Sequence, residues 1–215
     1  MRVGKFFIAA CILALSSAAA RADNFSFTGN LSDVNDVQYF TFTVSEGDSV
    51  VLRSYSYGGG VNAVGQTIAA GGFDPILYLF QGVGTDAPYI LQNGDDDTGT
   101  VTPDPVTGNS FDTYLDFSPF IDFFGPGTYT AVLADYDNAP AGSTLGEGFT
   151  GSSLVGPNFP DSSGASRDSH WAFDVLGADS ASEGTIAPVP EPGTLALLGT
   201  GLIGVAGVMR RRLFN

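Results

Sequence analysis

The 215-residue chain carries 23 acidic residues against eight lysines and arginines, and one cysteine. Six of those eight basic residues sit at the ends (Arg2, Lys5, Arg21, Arg210, Arg211, Arg212), so residues 23–189 hold 22 acids, Arg53 and Arg167, a net charge of −20. Such a surface repels nucleic acid and anionic lipid and attracts divalent cations, and with the cysteine at position 11 the interior can form no disulfide.

Arg2 and Lys5 precede an apolar stretch at residues 6–15, and residues 18–22 supply small side chains. This is the layout of a secretory signal peptide over residues 1–22, which implies the Sec machinery and signal peptidase as partners. Ala20 and Ala22 satisfy the A-x-A rule for a cut before Asp23, with a cut after Ala20 as the alternative. The stretch before Cys11 is too short, and runs on too far past it, for a lipoprotein cleavage box.

Residues 23–176 read as one domain of all-β texture, rich in Gly, Ser, Thr and aromatics and without helical periodicity. A first strand is expected at 25–28. In the second, Phe40, Phe42 and Val44 alternate with Thr41 and Thr43, which sends three apolar side chains to one sheet face. Ser45-Glu46-Gly47-Asp48 then reads as a turn into a strand at 49–57, together a hairpin. Further strands are expected at 76–81, 89–92, 113–117, 128–135 and 170–176. About eight short strands with Gly, Asp and Pro punctuation suggest an antiparallel β-sandwich, jelly-roll-like. Two long loops, 58–72 and 140–168, interrupt the pattern; loops of that length are usually functional or disordered. Residues 177–188 read as a polar linker.

The last segment, 189–215, begins Val189-Pro190-Glu191-Pro192, continues as an uncharged apolar run over 193–209, and is followed by Arg210, Arg211 and Arg212. Roughly 17–25 apolar residues cross a bilayer, so the run predicts one transmembrane helix. The arginines keep its C-terminus cytoplasmic. A G-x-G-x-x-G match at 199–204 lies inside this run with no strand before it, and is rejected as a dinucleotide fingerprint.

The Pro-Glu-Pro motif, membrane span and terminal arginine cluster, in that order, resemble the PEP-CTERM sorting signal of Gram-negative bacteria. The resemblance implies processing by an exosortase near the motif, transient anchoring in the inner membrane, and delivery to the cell surface or extracellular matrix. A permanent anchor is the alternative. Four segments of the domain, Asp36-Val37-Gln38-Tyr39-Phe40-Thr41-Phe42, Gly72-Phe73-Asp74-Pro75-Ile76-Leu77-Tyr78-Leu79-Phe80, Asn93-Gly94-Asp95-Asp96-Asp97 and Gly125-Pro126-Gly127-Thr128-Tyr129-Thr130, resemble in order those of bacterial pre-peptidase C-terminal domains. The Phe-Asp-Pro version also looks like the exported DVUA0089 family. These resemblances imply a β-sandwich accessory domain without catalytic activity, associated in some relatives with calcium. The two long insertions depart from the compact pre-peptidase pattern.

Calcium takes six to eight oxygen ligands. Asp95, Asp96 and Asp97 in a Gly-flanked turn are the best local set, with Asp36 and Asp74 at other strand starts; the spacing is not that of an EF-hand. Aspartates also simply favour turns. His170 is the single histidine, and with no G-x-S-x-G elbow the chain is read as a non-enzyme. Trp171 and Tyr136, among several aromatics, are candidates for stacking on sugars, which would make a carbohydrate-binding module for exopolysaccharide in a biofilm matrix. Core packing is the competing role for these rings.

Overall fold

The computed structural model describes residues 23–93, 100–151, 153, 159–161 and 164–184. The expected signal peptide with Ala20 and Ala22, the Asp95, Asp96, Asp97 turn and the whole 189–215 segment lie outside the described residues. The elements are β1 (Asp23–Asn30), β2 (Val37–Val44), β3 (Val51–Ser54), β4 (Gly60–Val61), β5 (Thr67–Ile68), β6 (Pro75–Gln81), β7 (Tyr89–Asn93), β8 (Tyr114–Asp116), α1 (Ser118–Phe124), β9 (Gly127–Asp135), a 3-10 turn (Leu145–Glu147), β10 (Phe159–Pro160), β11 (Ser166–Arg167), β12 (His170–Ala178) and β13 (Ser180–Gly184). Each of the eight strands expected from the sequence has a counterpart. Among the described residues no helix is long and apolar enough to cross a membrane.

Two antiparallel sheets dominate, in the orders β1-β12-β3-β8 and β13-β2-β9-β6-β7. The alternation in β2 does what the pattern predicts: Phe40, Phe42 and Val44 are buried in one core. Leu77 and Leu79 of β6 and Ala131 and Leu133 of β9 join them from the same sheet, while Leu52, Phe173 and Val175 come from the other. The sheets meet through rings, Phe40 stacking on Phe173 with centroids 4.5 Å apart and tilted against Phe27 at 5.2 Å. Such pairs add about 0.5–1.5 kcal/mol beyond their buried area.

The expected hairpin between the second and third strands does not form. The Ser45 to Asp48 turn is made, with the Ser45 amide donating to Asp48 Oδ2 at 2.6 Å. It carries the chain from one sheet to the other, however, because β2 pairs with β9 and β13 while β3 pairs with β12 and β8. The expected linker is also corrected, since its residues 180–184 are β13, pairing antiparallel with β2 from Ser180↔Thr43 to Gly184↔Tyr39. Gly177 is the extra residue where β12 shifts register against β1, two positions before the chain leaves that sheet. It has φ +73°, and a Cβ there would stand 2.0 Å from the Ser49 carbonyl oxygen. The Ser180-Ala181-Ser182-Glu183-Gly184 sequence reads as linker because β13 is an edge strand, where small polar residues suit a half-solvated face.

The first long insertion and residues 140–151 of the second are covers over the outer faces of the sheets, while Phe159 of the second packs into the inter-sheet core and its Asp161 and Arg167 reach Tyr57 at the foot of the first cover. Residues 58–72 fold as the β4–β5 hairpin and set Ile68 against Tyr55 and Ala172 outside the four-stranded sheet. In the second insertion, Leu145 and Phe149 pack with Ile76, Tyr78, Phe80, Val132 and Ala134 outside the five-stranded sheet. Strands β6 and β9 are therefore buried on both faces.

Candidate functional site

The predicted metal ligands divide. Asp36 builds the turn before β2: its Oδ2 accepts from the backbone amides of Ser32 at 3.1 Å and Asp33 at 2.9 Å. Asp33 Oδ1 likewise accepts from the amide and side chain of Asn35. These are turn-making bonds of the kind aspartate favours. Asp74 is buried at the start of β6, where Pro75 pairs with the buried Asp135. The Asp74 carbonyl accepts from the Tyr136 amide at 2.9 Å, so Asp74 and the candidate Tyr136 meet at one sheet end. Burial first, then the charges of Asp137, Asp135, Asp74 and Asp161, push the Tyr136 phenol up. Among the described residues no group of three His, Cys, Asp or Glu side chains could hold a metal ion.

Trp171 does not offer a stacking face. It is 3% exposed, meets Phe40 edge-on with centroids 5.5 Å apart, and lies over Gly29, where an added Cβ would stand 2.4 Å from the indole. The alternation of β12 explains this, because Trp171, Phe173 and Val175 share the face that closes the inter-sheet core. His170, on the opposite face, engages Asp168 through Nδ1 and the Ala69 carbonyl through Nε2 at 3.0 Å.

Five buried charged residues among those described escaped the sequence reading. Arg167 donates from Nε to Asp161 at 3.0 Å and from Nη2 to Asp104 at 3.3 Å, with its guanidinium 3.8 Å from the centre of the Tyr57 ring. Burial alone would raise Asp104, but its bonds from Arg167 and Thr107 hold it below the usual carboxylate value. Asp112 accepts from Ser54 Oγ at 2.7 Å, the Tyr57 amide at 3.1 Å and the Gly58 amide at 2.7 Å. Burial nevertheless pushes its carboxyl up. Asp174, fully buried, accepts from Ser26 Oγ, from Tyr55 Oη at 2.8 Å and from the Ala63 amide at 2.8 Å. A lone aspartate inside an apolar strand, as in Ala172-Phe173-Asp174-Val175, is the signal that could have found it.

Among the described residues, two surface grooves stand near the candidate positions. One, of about 320 Å³, runs between His170, Trp171 and the β5 edge at Gln66 and Thr67. The larger, of about 490 Å³, lies where the β1–β2 turn meets the second cover, between Asn30, Asp36, Gln38, Tyr39 and Phe149.

The geometry defines a mostly β, strongly acidic domain whose last strand among the described residues ends four residues before position 188. Residues 188–212 match the PEP-CTERM protein-sorting motif. Among curated proteins none matches this chain. The motif supports a secreted protein that an exosortase sorts, and it implies membrane-anchored transit before surface release.

Proposed function

We propose that the chain is an exported, non-enzymatic protein of the cell surface or extracellular matrix. Signal peptidase removes residues 1–22 after Sec export, and an exosortase acts at Val189, Pro190, Glu191 and Pro192 while residues 193–209 span the inner membrane. Arg210, Arg211 and Arg212 then remain cytoplasmic. The match at 188–212 carries this reading. Chain reach supports it, since the six steps from Gly184 to Pro190 span at most about 20 Å, which keeps the folded domain beside the processing site.

The domain is a jelly-roll sandwich in this reading. Leaving aside the short β4, β5, β10 and β11, the long strands before β13 run first-eighth-third-sixth and second-seventh-fourth-fifth across the two sheets. That order is two Greek keys closed on each other, with β13 as an added edge. It fits the resemblance to pre-peptidase accessory domains. No catalytic role is assigned to His170, whose two ring nitrogens face Asp168 and the Ala69 carbonyl. Calcium, on this reading, belongs to Asp95, Asp96 and Asp97. Saturating calcium raises the melting temperature if they hold it, and an unchanged melting curve removes that part.

Intact mass and peptide mapping of the native protein, in membrane and extracellular fractions, test the whole. Extracellular chains starting near Asp23 and ending near Pro190 are expected. Chains that retain the three terminal arginines and stay only in the membrane fraction would mean a permanent anchor, and the exosortase reading fails. A second reading, a carbohydrate-binding module for exopolysaccharide, is favoured by the 490 Å³ groove beside Tyr39 and Phe149.

A further inference from the structure

We propose that the groove between the β1–β2 turn and the second cover is a binding site for a neutral sugar chain. The proposal rests on the carbohydrate reading above, and it moves the site from Trp171 and Tyr136 to Asn30, Asp36, Gln38, Tyr39 and Phe149.

The walls are built before any ligand arrives. On one side the turn is fixed by Asp33 and Asp36 through the four bonds already described. On the other, Phe149 is held by an isolated bridge to Pro140 and by the Tyr78 ring, 6.0 Å away. The fully buried Asn138 ties the two together. Its Nδ2 donates to the Asn35 carbonyl at 3.0 Å and its Oδ1 accepts from the Gly151 amide at 2.8 Å. Fixed walls reduce the ordering cost of binding.

The lining selects the ligand class. About 490 Å³ falls within the roughly 300–1,000 Å³ of small-molecule sites. Tyr39 and Phe149, both half-buried, bring ring surface for the apolar C–H faces of a pyranose. Asn30 and Gln38 each carry a donor and an acceptor, as a sugar hydroxyl does. Asp36 uses Oδ2 on the turn, and Oδ1 stands outside those bonds as a further acceptor. Among the described residues no lysine or arginine lines the groove. The two arginines of residues 23–189 are engaged elsewhere, Arg53 over the Tyr55 ring and Arg167 between Asp104 and Asp161. An anionic ligand would therefore meet Asp36 and a negative surface with no counter-charge, whereas a neutral polyol meets neither obstacle.

The test is saturation-transfer difference NMR on the full-length chain in a sugar-free zwitterionic detergent, with cellotetraose, maltotetraose and a galacturonate tetramer as probes. Transfer to the ring protons of at least one neutral tetrasaccharide is expected, and none to the uronate. Gln38→Ala and Asn30→Ala should each weaken binding about tenfold, the scale of one lost hydrogen bond. Tyr39→Phe, which keeps the ring, should weaken it less, and Phe123→Ala, at a position 81% exposed on α1, not at all. Shifts of the Asn30, Ser32 and Gln38 amides in the unsubstituted chain read the same contact without relying on any variant's fold. No transfer to either neutral probe, a preference for the uronate, or amide shifts confined to other residues would overturn the proposal. Because processing is read from the termini and binding from the purified chain, either reading can fail while the other stands.

Discussion

The cover over the four-stranded sheet and the cover over the five-stranded sheet do the same job with opposite chemistry. The first is rooted by carboxylates. Asp112 takes the amides of Tyr57 and Gly58, Asp174 takes that of Ala63, and Tyr57 lies on Arg167 with its hydroxyl on Asp161 at 2.7 Å. Its apolar contact is small, Tyr55, Ile68 and Ala172. The second is held by a larger apolar cluster in which Leu145, Ala87, Tyr89 and Phe149 meet Ile76, Tyr78, Phe80, Val132 and Ala134. The sheets dictate the difference. An outer face carrying Ala172 and Asp174 offers little to bury and one charge to satisfy, while the outer face of β6 and β9 offers a continuous apolar surface. In a chain with 22 acids and two arginines between residues 23 and 189, the first solution makes excess carboxylate structural.

The sharpest way to break this contrast is Arg167→Ala. It leaves Asp104 and Asp161 buried without their cation, which costs about 3–5 kcal/mol for such pairs. Urea unfolding reads the loss, and native-state hydrogen exchange should show the Tyr57 and Gly58 amides opening first. Leu145→Ala comes next. It empties an apolar site that is 2% exposed, for about 2–4 kcal/mol. Exchange should then accelerate at the Leu145 and Gly146 amides and leave Tyr57 protected. If both variants open the same amides, the covers are one cooperative unit and the distinction is wrong.

The sheets were legible because their strands announce themselves, as in the alternation of Phe40, Phe42 and Val44. The covers were legible in principle as well. Ile76-Leu77-Tyr78-Leu79-Phe80 is apolar at successive positions, which a strand shows only when both faces are buried, and something must then lie over the second face. Strand pairing was not legible. The Ser45 to Asp48 turn has the residues of a hairpin turn, and whether it closes a hairpin or crosses between sheets depends on partners more than 80 residues away, such as Thr43 with Thr128. The edge strand β13 was hidden by its own polarity. Of the candidate site residues, Trp171 went wrong because an aromatic in a strand is read as exposed or buried only once the strand's inner face is known. The sorting motif needed no fold, since its order of Pro-Glu-Pro, apolar run and arginines is local.

The two covers should also part company with pH. The Asp112 carboxyl is raised by burial, so between its ordinary value near 4 and its folded value the native state binds a proton that the unfolded chain lacks. Stability from this group therefore falls as pH rises through that window. Asp112→Asn abolishes the titration, and the variant should gain on the native chain as pH increases from about 4 upward. Melting curves across that range check it. A constant difference would mean that Asp112 is ionised in the folded state at every pH tested.

Glu147, at the tip of the second cover, should show the smallest effect and the opposite sign. It completes a capping box on the 3-10 turn, its Oε2 accepting from the Thr144 amide at 2.9 Å, Thr144 Oγ1 at 3.1 Å and the Ser143 amide at 2.7 Å. Those bonds hold its carboxyl below the usual value. A depressed carboxylate contributes stability that is present above its unfolded value and is lost as pH falls through the folded one. Glu147→Gln should therefore differ from the native chain at neutral pH and converge with it below about pH 4. Because the side chain is exposed, water and salt screen the effect, and it belongs to local opening of residues 143–149 rather than to global melting. Faster exchange at the Ser143 and Thr144 amides, with unchanged exchange at Tyr57, is the expected result. A global melting loss as large as that of Leu145→Ala would instead make the cap, and not the apolar cluster, what holds the second cover down.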